Sequence, residues 1–230
     1  MLRIKGLDAY YGLFQALFGV DFQVAPGETV ALIGANGAGK TTLLRAIAGA
    51  LHTPSESMLL NGLPAGASTE KQQLERGIAL VPEGRRLFAS LSVRENLLLG
   101  ERNGRVGEWT TRRILGELPA LEPLLERPAT ALSGGQQQLV AIARALVCNP
   151  SYLLCDEVSL GLSPLAVGEV YRLLEKVRLA GTAIVLVEQN VQRALVESDR
   201  YFCIQKGRIV LEGNSANADF HAVAEAYFGV

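Results

Sequence analysis

The chain has 230 residues, 49% of them hydrophobic and 20% charged, and a formal net charge of -1. A chain of that size builds one sizeable core, alone or with a subdomain, and its balanced charge argues against a broad nucleic-acid footprint, a local basic patch aside. No apolar run is long enough to span a bilayer; the longest candidates, such as Ala183 to Val187, are strand-sized.

The first quarter reads as strands. Leu2 to Leu7, Leu17 to Val24 and Thr29 to Ile33 carry alternating or continuous apolar residues, with a Pro26-Gly27 turn between the last two. The periodicity of Thr42 to Ala50 predicts a helix, and a short strand follows at Ser57 to Leu60. Leu63 to Gln73 is polar, contains Gly and Pro, and is expected to be loop. Ile78 to Val81 is a buried strand stopped by Pro82. From Leu91 the character turns helical. Ser92-Val93-Arg94-Glu95 is a capping box, Thr110 to Leu118 fits another helix, and Ser133 to Val147 a third, ended by Asn149-Pro150. Tyr152 to Cys155 is a strand. Ser163-Pro164 opens a helix that runs to about Ala180, and Thr182 to Val187 is the next strand. Tyr201 to Gln205 and Arg208 to Glu212 form a hairpin around Lys206-Gly207, and a short helix is expected near Phe220 to Tyr227. Strands alternating with helices predict an α/β fold with a mainly parallel sheet, with the helical stretch at about 91–150 as a lobe on a single domain spanning 1–230.

Cys148, Cys155 and Cys203 are far apart and odd in number, and the only histidines are His52 and His221, which argues against a disulfide framework or structural metal site. Cys155 and Cys203 sit in apolar strand-like runs and read as buried thiols of a reducing compartment. The chain opens directly on strand-like Leu2-Arg3-Ile4 without a signal-peptide pattern, so a cytosolic location is expected.

Three segments carry chemistry. Gly34-Ala35-Asn36-Gly37-Ala38-Gly39-Lys40-Thr41 fits G-x-x-x-x-G-K-S/T, between a buried strand and a helix. Its glycines let successive N–H groups face phosphate oxygens, Lys40 supplies a point charge, and the Thr41 hydroxyl suits Mg²⁺. The helix that follows turns its positive end to the phosphates. The expected ligand is therefore a nucleoside triphosphate. Leu153-Leu154-Cys155-Asp156-Glu157 is a buried strand ending in two acids. Adjacent strand residues face opposite ways, so Asp156 is assigned to the Mg²⁺ shell with Thr41, and Glu157 to polarising an attacking water. Leu132-Ser133-Gly134-Gly135-Gln136 opens a helix with Ser133 as cap and Gln136 as its capping-box partner, a second helix N-terminus suited to an anion.

With these residues in hand, the chain resembles the ATP-binding-cassette (ABC) ATPase family over essentially its whole length. Gly34 to Thr41, with Thr42 after it, matches the family's Walker A, Leu132 to Gln136 its own LSGGQ signature, and Tyr152 to Asp156 with Glu157 its Walker B and catalytic glutamate. Ser159 to Leu162 falls where the D-loop belongs, and Tyr11 where the family places an adenine-stacking aromatic, although Tyr10 beside it could share that role. The resemblance implies a P-loop core, an antiparallel β subdomain and a helical signature subdomain. It implies that two cassettes pair head to tail, with ATP and Mg²⁺ between the P-loop of one and Ser133, Gly134, Gly135 and Gln136 of the other. The implied partners are a second ABC ATPase subunit, two transmembrane permease subunits and, indirectly, a substrate-binding protein, with no nucleic acid. The implied place is the cytoplasmic face of the inner membrane, as a peripheral protein.

Three departures narrow the resemblance. Glu83 stands where most members have Gln, Gln189 where most have a switch histidine, and Val158 where most have Pro. Val81-Pro82-Glu83-Gly84-Arg85-Arg86, Val187-Glu188-Gln189-Asn190, Ser159 to Pro164 and Arg208 to Gly213 are similar to the shorter ATPase subunit of branched-chain amino-acid importers; urea and amide importers look alike. Gln189 can hydrogen-bond a phosphate but cannot titrate as histidine does. Glu83 is a Mg²⁺ ligand, acts through water, or tethers the lobe. The groove for a membrane subunit is expected near Glu83 and Leu87 to Ser92, with Phe88 and Leu91 either contacting the partner or packing inside the lobe. ATP hydrolysis is expected to be retained. The competing readings are a soluble ABC ATPase of DNA repair or translation, and a non-catalytic subunit in which Glu157 is idle.

Overall fold

The computed structural model describes residues 1–228. In chain order it contains β1 (Leu2–Tyr11), β2 (Phe14–Val24), β3 (Thr29–Ile33), α1 (Lys40–Ile47), β4 (Met58–Leu60), β5 (Leu63–Pro64), α2 (Glu70–Glu75) and β6 (Ile78–Val81). There follow α3 (Val93–Asn103), α4 (Thr111–Glu117), α5 (Gly134–Leu146), β7 (Tyr152–Asp156), α6 (Pro164–Leu179), β8 (Ala183–Val187), α7 (Val191–Val196), β9 (Arg200–Gln205), β10 (Arg208–Asn214) and α8 (Phe220–Phe228).

Two sheets organise the chain. One is antiparallel, in the order β2-β1-β4-β5; the other is six-stranded, in the order β10-β9-β3-β8-β7-β6. Every pair in the second sheet is parallel except β9 with β10. Strands β3, β7 and β8 in its middle are buried at every residue, as strands covered on both faces require. Alternate residues go to opposite sides. Val30, Leu32, Leu154, Val185 and Phe202 pack with α1 and the antiparallel sheet. Leu153, Cys155, Ile184 and Leu186 pack with α3, α5 and α6. Ala31, Ile33 and Cys203 take α7 and α8. The three cysteines are free and buried.

The stretch expected to be loop carries β5 and α2. Thr69 caps α2 and Gln72 reaches back in a capping box, a local signal strong enough to start a helix in a polar segment. The short α7, capped by Asn190, has no counterpart among the sequence expectations, and α1 starts at Lys40, ahead of the expected Thr42. In an open parallel sheet the loops at the carboxyl ends of the strands gather ligands. Here those loops carry Gly34–Gly39 after β3, Glu83 after β6, Glu157 after β7 and Gln189 after β8.

Candidate functional site

The loop between β3 and α1 is shaped by close approach. Gly34 lies so near the Ile204 carbonyl oxygen that any Cβ would collide with it. Gly39 has φ 118 and opens α1 in a conformation that L side chains rarely adopt. The turn of the last hairpin supports the loop from below: Gly207 N–H donates to Ala38 O at 2.8 Å, and Phe18 N–H donates to Gly207 O at 2.9 Å. Lys40 is 4% exposed. Its Nζ donates to Gly34 O at 2.7 Å and Ala35 O at 3.1 Å. Burial lowers its pKa, and the nearby Glu157, Asp156 and Glu83 carboxylates oppose that shift.

The acids converge on the same place. Thr41 Oγ1 donates to Asp156 Oδ1 at 3.4 Å. Burial raises the Asp156 pKa; the Thr41 hydroxyl and Lys40 pull it down, while Glu157 and Glu83 push it up. Glu157 Oε1 is 4.0 Å from Lys40 Nζ, and its Oε2 accepts from Gln189 Nε2 at 2.7 Å. Strand alternation is not what separates the two acids. β7 ends at Asp156, and Glu157 has left it in a left-handed conformation with φ 52. That turn, unusual for a residue with a side chain, keeps both carboxylates near Lys40.

A cleft of about 310 Å³ is lined by Asn36, Gly37, Gly39, Lys40, Thr41, Thr42, Glu83, Glu157 and Gln189. Most of the expected site residues therefore meet in one place. Its chemistry suits a phosphate chain: backbone N–H groups at a helix start and a buried ammonium face one way, carboxylates the other. Among the described residues no cluster of three or more His, Cys, Asp or Glu forms a ready-made metal cage. Mg²⁺ does not require one, since it binds through one or two carboxylates, phosphates and water; Thr41, Asp156 and the neighbouring Glu83 fit that demand.

Ser133, Gly134, Gly135 and Gln136 do not line this cleft. They open α5: Ser133 N–H donates to Gln136 Oε1 at 2.9 Å, and Gln136 N–H donates to Ser133 Oγ at 3.3 Å. Arg85 leans on this turn and donates to Gln137 Oε1 at 3.0 Å. It belongs to three successive left-handed residues, Gly84, Arg85 and Arg86, which link the Glu83 loop to the signature helix. Tyr11 also lies outside the cleft, exposed at the end of the β1–β2 hairpin opposite Phe14. Tyr10 beside it is exposed as well. Two residues near the site escaped the sequence reading as contributors, Tyr171 and Glu188, which hydrogen-bond each other. The available signal was an acid directly after the apolar run Ala183 to Val187.

Residues 17–159 match the ABC transporter family. The chain belongs to that family and is an ATP-binding-cassette ATPase. It is 39% identical, over 100% of both chains, to the high-affinity branched-chain amino acid transport ATP-binding protein BraG of Pseudomonas aeruginosa. It is 35% identical to the probable branched-chain amino acid transport ATP-binding protein LivF of Archaeoglobus fulgidus, over 94% of this chain and 92% of that one. The crystal structure of the ADP conformation of MJ1267, an ATP-binding cassette of an ABC transporter, has a TM-score of 0.86 to it at 27% identity, covering 100% of this chain and 99% of that one.

Proposed function

We propose that this chain is an energising ATPase subunit of a branched-chain amino-acid importer. The observation that carries the ATPase part is the convergence of Lys40, Thr41, Asp156, Glu157 and Gln189 at the carboxyl edge of the sheet. The likeness to BraG and LivF supports the substrate class. The Gly34–Thr42 loop holds the triphosphate, with Lys40 turning from the Gly34 and Ala35 carbonyls to the outer phosphates. Thr41 and Asp156, with Glu83 at the edge, would hold Mg²⁺, which when bound would supply positive charge to offset that of the phosphates. Glu157 takes a proton from the attacking water, and the Gln189 amide holds its carboxylate in place. The signature at Ser133–Gln136 lies away from the chain's own cleft, which fits service to the nucleotide of a second cassette. Tyr11 stacks on the base from the hairpin.

No helix among the described residues is long and apolar enough to cross a membrane. On the importer reading the chain reaches the bilayer through partners. The docking place is a cleft of about 490 Å³ between core and lobe, lined in part by Arg45, Glu83, Arg86 and Arg144. Phe88 lines the adjoining cleft, and the backbone of half-buried Leu91 is tied to the same turn, its N–H donating to Phe88 O at 3.1 Å and its carbonyl accepting from Asn96 Nδ2 at 3.3 Å.

The test is purification of Glu157→Gln from detergent-solubilised membranes with ATP and Mg²⁺. Expected companions are two polytopic membrane proteins and a second ATPase, with ATP turnover reduced by about 100-fold or more, as loss of a general base produces. Turnover equal to the parent's would remove Glu157 from the chemistry. Ribosomal or DNA-repair companions without membrane proteins would overturn the importer reading and leave the ATPase reading intact.

A further inference from the structure

Glu188 follows the last residue of β8 and is 3% exposed. A buried carboxylate is costly unless its oxygens are hydrogen-bonded. Both are satisfied here: Oε1 accepts from the Tyr171 hydroxyl at 2.6 Å, and Oε2 accepts from Ser159 Oγ at 2.7 Å. Among the described residues Glu188 has no ion pair; the Arg193 guanidinium lies 5.5 Å over the ring of its partner Tyr171. Packing alone gives no reason for a charge in this position, since an apolar side chain of similar volume would fill it without the desolvation cost.

Connectivity gives a reason. Tyr171 comes from α6, and Ser159 from the turn two residues beyond Glu157. The neighbour on the other side of Glu188 is Gln189, whose amide donates to Glu157 at 2.7 Å. The Glu157 N–H in turn donates to Val187 O at 3.0 Å. Three bonds thus stitch the loop after β7 to the loop after β8, one through the backbone and two through side chains. Glu188 is the member that also anchors the pair to a helix. Because Glu188 adjoins Gln189 and bonds Ser159, two residues beyond Glu157, a shift of Glu188 acts on both the donor side and the acceptor side of the Gln189–Glu157 bond.

We propose that Glu188 is a positioning residue for ATP hydrolysis: its buried carboxylate, held by Tyr171 and Ser159, sets the loop geometry in which Gln189 orients Glu157. This rests on the reading of Glu157 as the group that activates water. Glu188→Gln keeps the shape but replaces one acceptor oxygen by a donor NH₂, so one of the two hydroxyl bonds must break or reverse.

The first readout is the side-chain amide signal of Gln189 in ¹H–¹⁵N spectra of the full chain, assigned by its loss in Gln189→Glu. The second is ATP turnover of the complex purified with its partners. Glu188→Gln should move the Gln189 signal and lower kcat about tenfold with KM for ATP within about twofold, the pattern of a lost supporting contact. Ser159→Ala and Tyr171→Phe should shift the same signal less, and they decide the matter if Glu188→Gln does not fold. An unmoved Gln189 signal in the folded variants, or a lowered melting temperature with unchanged kcat, overturns the proposal. Failure of the parent reading looks different: Glu157→Gln would then hydrolyse ATP like the parent, whatever Glu188→Gln does to the Gln189 signal.

Discussion

At Asp156 the fold holds a carboxylate where burial opposes its charge. The Thr41 hydroxyl and Lys40 offset part of that opposition, but the raised pKa shows that burial wins. An acid with a folded pKa above its unfolded one binds more protons folded than unfolded across that interval. Stability from this group therefore falls as pH rises through the interval, and the penalty is complete above the folded pKa. Asp156→Asn removes the charge and keeps an acceptor for Thr41. The nucleotide-free variant should melt higher than the parent at pH 7, and the gain should shrink as the pH is lowered into the range where the parent's carboxyl protonates. The same variant should lose the additional stabilisation that Mg²⁺ confers on the ATP-bound chain. Thermal melts at several pH values, with and without ATP and Mg²⁺, check both halves; a lower melting temperature for the nucleotide-free variant at pH 7 would refute the argument. This carboxylate was legible in the sequence because an apolar strand ending in an acid is a local pattern. The left-handed turn at Glu157 was not, because it depends on the Val187 carbonyl and the Gln189 amide, both distant in sequence.

Among the elements, three helices begin with the same device and differ in one chemical detail. Ser92, Thr69 and Ser133 each cap a helix and receive a return bond from the residue three positions on. For α3 that residue is Glu95, which accepts from the Ser92 N–H at 2.8 Å; for α2 and α5 it is glutamine. The Ser92 backbone bond, followed by its side-chain bond, lowers the Glu95 pKa from its ordinary 4.5. A depressed acid contributes stability that is present above the unfolded pKa and is lost as pH falls through the folded one. Ser92→Ala should cost about 1 kcal/mol near neutral pH, as removal of a serine cap usually does, and somewhat less below the Glu95 titration, because it removes the weaker side-chain bond to Glu95 and keeps the backbone one. Ser133→Ala loses a cap whose partner does not titrate, so its stability cost should be flat over the same range. Denaturant titrations of the two variants at pH 7 and at low pH separate the cases, and equal pH dependence would count against the assignment. The Ser92 and Ser133 boxes could be read directly from spacing. The α2 box carries the same pattern at Thr69 and Gln72, but in a short polar segment that has no apolar periodicity to advertise a helix.

For the molecule as a whole, the order of strands was beyond the sequence, because β3 lies between β8 and β9, elements more than 150 residues away along the chain. That long-range pairing is what brings the P-loop beside Gln189. It also leaves a cleft between α1, α2, β6 and α5 in which Arg45, Arg86 and Arg144 converge. None of the three is in an ion pair among the described residues. Arg144 is the most telling. Burial lowers its pKa, and the contact found for its guanidinium is the face of Phe88 at 5.5 Å, an interaction weaker than a carboxylate pair in the same surroundings. A half-buried cation without a counter-ion destabilises the isolated chain, and an incoming acidic side chain would relieve that cost. On the proposed docking of membrane subunits in this cleft, the deficit is corrected on assembly. Arg144→Met keeps the stem that packs on Phe88 and removes the charge. It should therefore raise or leave unchanged the melting temperature of the isolated chain, while the Glu157→Gln, Arg144→Met double variant should recover fewer of the membrane subunits that Glu157→Gln alone retains. A lower melting temperature with full recovery would place the role of Arg144 inside the lobe and remove it from the interface.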